Sequence, residues 1–162
     1  MTRIYVSLGT NIDREVNLRA GIEELRRRFG ELVLSSVYES EAVGFSGDPF
    51  YNMVAGFDSD EPVEVLAREL HAIEDRHGRQ RNGPRFSSRT LDIDLLLYGD
   101  SVIDEGKLHL PRDEITKHAF VLWPLAEIAP DARHPVLGVT YGELWQKFDH
   151  SKQSLWPIPF TW

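Results

Sequence analysis

Two carboxylates, Asp92 and Asp94, interrupt an otherwise apolar run in the stretch SRTLDIDLLLY (residues 88–98). On a β-strand successive side chains alternate, so these two share a face while Ile93 points the other way. A rise of about 3.3 Å per residue puts their Cα atoms roughly 6–7 Å apart, and the carboxylates can converge further. Unaided, such a pair raises a pKa or weakens the strand, and a divalent cation removes the conflict. Carboxylate oxygens suit Mg²⁺, which takes one or two protein carboxylates, several waters and substrate phosphates. Directly upstream lie Arg76, Arg79, Arg81, Arg85 and Arg89, with His77 among them and no acidic residue. Guanidinium groups clamp phosphates bidentately. Carboxylates for metal beside arginines for phosphate make a phosphoryl-transfer constellation. The same residues also fit a plainer arrangement, two exposed aspartates paired with Arg79 or Arg89 and a solvated basic loop. No G-x-x-x-x-G-K-[ST] and no G-x-G-x-x-G occurs, which sets aside a P-loop and a kinase glycine loop.

The elements that must hold these residues follow from periodicity. Residues 3–9 read as a strand ending at Gly9-Thr10-Asn11. Leu18, Ile22, Leu25 and Phe29 form a helical stripe over 14–29, with Gly30 as C-cap. Residues 31–40 and 50–58 read as strands, separated by a loop with Gly44, Gly47, Asp48 and Pro49. After Pro62, a helix-opening residue, Val63, Leu66, Leu70 and Ile73 make a second stripe. Residues 78–88 read as a loop, 90–98 as the fourth strand, and 101–110 as a short hairpin around Asp104-Glu105-Gly106. Residues 118–129 and 141–149 read as short helices, and the tail SLWPIPFTW as irregular packed chain because of its two prolines. The order βαββαβ plus a C-terminal hairpin and short helices predicts one α+β domain over 1–162, ferredoxin-like, its antiparallel sheet covered by helices on one face. The other face is then free for a ligand.

A chain of 162 residues with 41% hydrophobic and 27% charged residues is an ordinary globular domain. It has no cysteine, hence no disulfide and no thiolate zinc site, which fits a reducing, cytoplasmic setting. The N-terminus shows no signal-peptide pattern and no run reaches membrane-spanning length. A net charge of −8 disfavours nucleic acid as a partner.

Several ordered motifs together resemble one family. Gly83-Pro84-Arg85 followed by Arg89-Thr90-Leu91-Asp92-Ile93-Asp94-Leu95-Leu96-Leu97 resembles the signature of 6-hydroxymethyl-7,8-dihydropterin pyrophosphokinases. Leu8-Gly9-Thr10-Asn11 is similar to that family's G-[ST]-N. Phe50-Tyr51-Asn52 is similar to its aromatic-x-Asn strand, and residues 120–130, FVLWPLAEIAP, to its F-x-L-W-P-L-x-E-I-A-P block. The resemblance implies transfer of pyrophosphate from ATP to the pterin's hydroxymethyl group, releasing AMP, in folate biosynthesis. It implies two Mg²⁺ ions on Asp92 and Asp94, and catalytic roles for Arg79 and Arg89. ATP contacts fall to His71, Glu74, Arg79, Arg81, Arg89 and Arg112. Pterin contacts fall to Ser40, Glu41, Ala42, Val43, Phe50, Asn52, Asp92 and Phe120, with the two rings sandwiching the flat substrate. Asn52, both donor and acceptor, suits an amide-like edge. Taken alone Phe50 and Phe120 would be core residues, and Trp123 is core on either view. Departures are Phe86 where many members carry a loop Trp, Asn82 at a basic loop position, His71 for a Gln, Arg112 for a His, and His118 for an Arg. Arg81 and Lys107 offer replacement charge. The segments 44–49 and 78–88 are read as covers over the substrates, and the chain as a monomer that meets neither nucleic acid nor membrane.

Two other readings share parts of this pattern. A Mg²⁺-dependent nucleotidyl- or glycosyl-transferase uses D-x-D without pterin recognition. A sheet-face RNA-binding module uses strand aromatics, but the acidic charge and the aspartates on the presumed binding strand oppose it.

Overall fold

Leu18, Ile22 and Leu25, spaced as one helical stripe, are buried on α1 (Arg14–Phe29), and Val63, Leu66, Leu70 and Ile73 on α2 (Val63–Arg76). Both stripes pack on one face of an antiparallel sheet in a computed structural model that describes residues 1–41, 48–78 and 90–162. The strands are β1 (Thr2–Thr10), β2 (Val33–Leu34), β3 (Val37–Ser40), β4 (Phe50–Ser59), β5 (Asp92–Tyr98) and, near the C-terminus, β8 (Leu155–Ile158). Their order is β5-β1-β4-β3-β8, with β2 also on β4. A separate hairpin, β6 (Ile103–Glu105) and β7 (Leu108–Leu110), precedes three further helices, α3 (Glu114–Lys117), α4 (Ala119–Ile128) and α5 (Tyr141–Lys147). No helix among the described residues is long and apolar enough to cross a membrane.

The strict alternation of β1 sorts its side chains. Ile4, Val6 and Leu8 enter the core under α1 and α2, while Tyr5, Ser7 and Gly9 face the other way. That second face is not bare, in contrast to the expectation of helices on one face only. Val54, Leu96 and Leu97 are buried there with Ile115, Val121, Leu122, Leu125 and Tyr141 from α3, α4 and α5. The reason lies in α4, apolar around most of its circumference, which cannot remain on the surface. The apolar run of β5 is explained by the same two cores. A bulge shifts the β1–β5 register, so that Val6 faces Leu95 and Tyr5 faces Leu97, with Leu96 between. Leu95 fills the first core, and Leu96 and Leu97 both fill the second.

Three further expectations are corrected. The strand over 31–40 is two pieces, because Ser35 Oγ accepts from the Val54 amide at 2.9 Å and side-chain bonding displaces the ladder at the break. The tail forms strand β8 on β3 rather than irregular chain, and Pro157 is tolerated because an edge strand needs only one row of amides. Trp123 is half-buried rather than core, its ring stacked on Trp145 at 4.9 Å and tilted against Tyr38 at 4.8 Å.

At the β2–β3 break the Glu127 carboxylate of α4 accepts from the Ser36 amide (2.9 Å), the Ser36 hydroxyl (2.8 Å) and the Tyr38 hydroxyl (2.7 Å). Glu127 therefore staples α4 to the sheet. Glu127→Ala is expected to cost about 1–3 kcal/mol by orphaning these donors, measured as a lowered urea midpoint with an unchanged denaturant slope.

Candidate active site

The pairing registers lay out a row across four strands. Asp92 on β5 faces Gly9 on β1, Gly9 faces Asn52 on β4, and Asn52 faces Tyr38 on β3. The next row toward the core holds Asp94, Ser7 and Val54. With strands about 4.8 Å apart, Asp92 and Asn52 stand roughly 9–10 Å apart across Gly9. Glycine leaves this gap open. A Cβ there would sit 3.5 Å from Asn52 Oδ1 and 3.8 Å from the Phe50 ring. Asn52 is buried and donates through Nδ2 to Ser40 Oγ at 2.8 Å, fixing its amide edge. Ser40 is opposite Phe50. Phe50 and Phe120 are both half-buried rather than core, as rings that line an opening would be. Phe120 stacks on His118 at 4.8 Å with an interplanar angle of 18°.

At the acidic end β5 is the sheet's edge, so its outward amides need partners from elsewhere. Glu74 of α2, only 2% exposed, supplies one: its Oε2 accepts from the Ile93 amide at 2.8 Å. The backbone between the two aspartates is thereby pinned. One ligand atom from each of Glu74, Asp92 and Asp94 lies within 4.8 Å of the others, a donor set of three carboxylates. Such a set fits a hard divalent cation with oxygen preference. Partial burial first, and the neighbouring Asp92 second, push the Asp94 carboxyl up to about 7. Arg112 pulls in the opposite direction, with Nη2 3.4 Å from Asp94 Oδ1, while its Nε lies 3.2 Å from Glu114 Oε2. Arg112 also lines a pocket of about 260 Å³ with Lys107, His109, Asp113, Glu114, Lys117 and His118.

Of the residues expected at the site, the structure thus gathers Glu74, Asp92, Asp94 and Arg112 at one end and Ser40, Phe50 and Asn52 at the other. His71 is exposed on α2 one turn before Glu74, and Glu41 is exposed just after β3. Val43, Arg79, Arg81, Phe86 and Arg89 lie outside the described residues, as do Ala42 and Asn82. Sequence reasoning gave Glu74 only as an ATP contact and missed that its carboxylate joins those of Asp92 and Asp94; it also missed the opening that Gly9 leaves between its neighbouring strands, and the pocket residues His109 and Lys117. The signal for the last was present, since Lys107, His109, Arg112, Lys117 and His118 crowd a short stretch. It also missed the braces behind the site. Thr10 Oγ1 donates to the Thr90 carbonyl (2.6 Å), Asn11 Nδ2 to the Asp48 carbonyl (3.1 Å) and Arg14 to the Pro49 carbonyl (3.1 Å).

The fold is α+β, and its acidic end is a donor set able to hold a divalent cation. Residues 5–130 match the family of 7,8-dihydro-6-hydroxymethylpterin-pyrophosphokinases, and the chain belongs to that family. The 2-amino-4-hydroxy-6-hydroxymethyldihydropteridine pyrophosphokinase of Pseudomonas aeruginosa is 36% identical over 82% of this chain and 84% of its own. That of Haemophilus influenzae is 33% identical over 97% and 100%. Among solved structures, wild-type Plasmodium falciparum HPPK-DHPS with pterin and p-hydroxybenzoate superposes with a TM-score of 0.67 at 15% identity. The match covers 90% of this chain and 43% of the Plasmodium chain, and it shows the shared fold.

The raised Asp94 pKa has a definite sign. The folded state holds a proton that the unfolded state, with an ordinary aspartate near 3.8, has released, so stability falls as pH rises from about 4 to about 7. Asp94→Asn is expected to raise the melting temperature of ligand-free protein by a few degrees at pH 8, with the gain vanishing toward pH 4, as followed by circular dichroism.

Proposed function

We propose that this chain transfers the β,γ-pyrophosphoryl unit of ATP to the hydroxymethyl oxygen of 6-hydroxymethyl-7,8-dihydropterin. The new bond joins that oxygen to Pβ as the hydroxyl proton is released to solvent, the bond from Pβ to the α,β-bridging oxygen breaks, and AMP leaves. The observation that carries this reading is the cross-strand row with carboxylates at one end, an open glycine at its centre and a hydrogen-bonded asparagine at the other end. A flat heterocycle laid over Gly9 meets Asn52 at its amide-like edge and points a substituent at Asp92. We read the sheet order as the split βαβ arrangement of ferredoxin-like folds, with β8 added at one edge.

In this reading Phe50 and Phe120 supply the two apolar faces that hold the ring and keep water from it. Ser40 orients Asn52, and Glu41 and Val43 offer backbone groups to the remaining edge. Asp92 and Asp94, backed by Glu74, would hold two Mg²⁺ ions, which when bound would supply charge neutralisation at the phosphates and a lowered pKa for the attacking hydroxyl. Arg112, drawn toward Asp94 by charge, stands between the acidic cluster and the pocket of mixed charge. There it, Lys107 and His118 present donors to the triphosphate, joined by His71, Arg79, Arg81 and Arg89. Phe86 covers the closed site. Alignment of the hydroxyl with Pβ is the main contribution, since little covalent chemistry falls to the protein in phosphoryl transfer.

The test is AMP release that requires both Mg²⁺ and the pterin. Asp92→Ala or Asp94→Ala is expected to lower kcat/KM on the order of 10³-fold or more, a loss of about 4 kcal/mol in transition-state stabilisation. Full activity in either variant overturns the metal assignment. Mg²⁺ with a non-hydrolysable ATP analogue is expected to raise the melting temperature of the wild type and to do so far less in these variants. ATP binding without pterin binding in calorimetry would favour a different nucleotide-dependent transferase.

A further inference from the structure

Residues 131–162 lie beyond the part of the chain that matches the family, residues 5–130, yet they reach back to both walls of the proposed pterin cleft. The first link is strand pairing. β8 runs antiparallel to β3, with Leu155 opposite Ser40, the residue that holds the Asn52 amide. The second link is one side chain. Gln153 Oε1 accepts from the Ala119 amide at 2.7 Å, and Gln153 Nε2 donates to the Lys117 carbonyl at 2.9 Å. The primary amide thus bridges the two backbone groups on either side of His118.

That junction needs outside help. α3 ends at Lys117 and α4 begins at Ala119, with His118 between them in an extended conformation (φ −122°, ψ 123°). The first amides of a helix have no partner within it. His118 makes no side-chain cap bond to α4, and its imidazole instead stacks on Phe120. Gln153, distant in sequence, takes the capping role. A rotation at this junction would carry His118 and Phe120 together, because their rings are stacked and Phe120 lies in the first turn of α4.

We propose that Gln153 is a positioning residue for the pterin-binding wall, setting the start of α4 and through it the Phe120 ring. This rests on the reading of Phe120 as a pterin contact. The C-terminal segment then ties the asparagine side of the cleft to its aromatic side through two residues of chain, Ser154 and Leu155. Gln153 touches neither substrate, so its effect is on pterin affinity and passes through Phe120.

A double-mutant cycle on the full chain tests this, reading pterin affinity by the ligand's fluorescence in the presence of Mg²⁺ and a non-hydrolysable ATP analogue. Phe120→Ala is expected to weaken binding about ten-fold or more and Gln153→Ala about five-fold, whereas Gln153→Ala in the Phe120→Ala background changes it less than about two-fold. Losses that simply multiply overturn the proposal, because a general destabilisation would be independent of Phe120. Wild-type affinity in Gln153→Ala, with a loss in Phe120→Ala, overturns it while leaving the pterin reading intact. No loss in Phe120→Ala defeats the pterin reading of that ring itself. Should Gln153→Ala fold poorly, Gln153→Glu takes its place. It keeps an acceptor for the Ala119 amide and loses the donor to Lys117, so an intermediate loss of about three-fold is expected, and unchanged affinity overturns the proposal.

Discussion

Three carboxylates held within 4.8 Å of one another are the most demanding arrangement in this protein, and much of the surrounding structure exists to hold them there. Like charges this close favour either a retained proton or a cation, and Asp94, its carboxyl pushed up first by burial and then by Asp92, is the member inclined to keep a proton. The strand cannot relax it. Asp92 and Asp94 are fixed to one face by the pairing with Gly9 and Ser7, and the backbone between them is pinned by Glu74. Arg112 offsets part of the repulsion but is shared with Glu114. A site that remains under electrostatic stress without ligand is one whose ligand is stabilised on arrival.

The rest of the cleft is built by letting the sheet do two jobs. Its first face carries the main core under α1 and α2. Its second face is divided, with α3, α4 and α5 covering the end around Val54, Leu96 and Leu97 and leaving the row from Asp92 to Asn52 at the other end. The bulge in β5 makes this division possible, since it turns two consecutive leucines into the second core immediately after the aspartates. The covering helix is then secured from both sides, by Glu127 to the β2–β3 break and by Gln153 at its first turn.

How much of this was legible in the sequence depended on whether the signal was local. The helical stripes on α1 and α2, the alternation of β1, and the shared face of Asp92 and Asp94 all follow from backbone periodicity, which a single chain segment displays in full. The bulge left only an ambiguous trace, a run of leucines equally consistent with an ordinary buried strand. Glu74 read as an ATP contact through the resemblance alone, because nothing near it in sequence announces that an edge-strand amide comes to meet it. The tail read as irregular because its prolines speak against a strand in general, though not against an edge strand. Gly9 read only as the end of a strand and part of a motif, while the gap it leaves depends on what stands on the adjacent strands.

By itself, then, the sequence determined the chemical types present, the face each occupies on its own element, and through its ordered motifs the pyrophosphokinase family. Only the tertiary structure decided that Glu74 joins the aspartates, that an open glycine separates them from Asn52, and that Gln153 meets the backbone at the start of α4. The division has one physical cause. Periodicity is imposed by backbone geometry within a segment, whereas the register between strands and the meeting of distant side chains are settled by burying two cores at once and satisfying the amides left over at their edges.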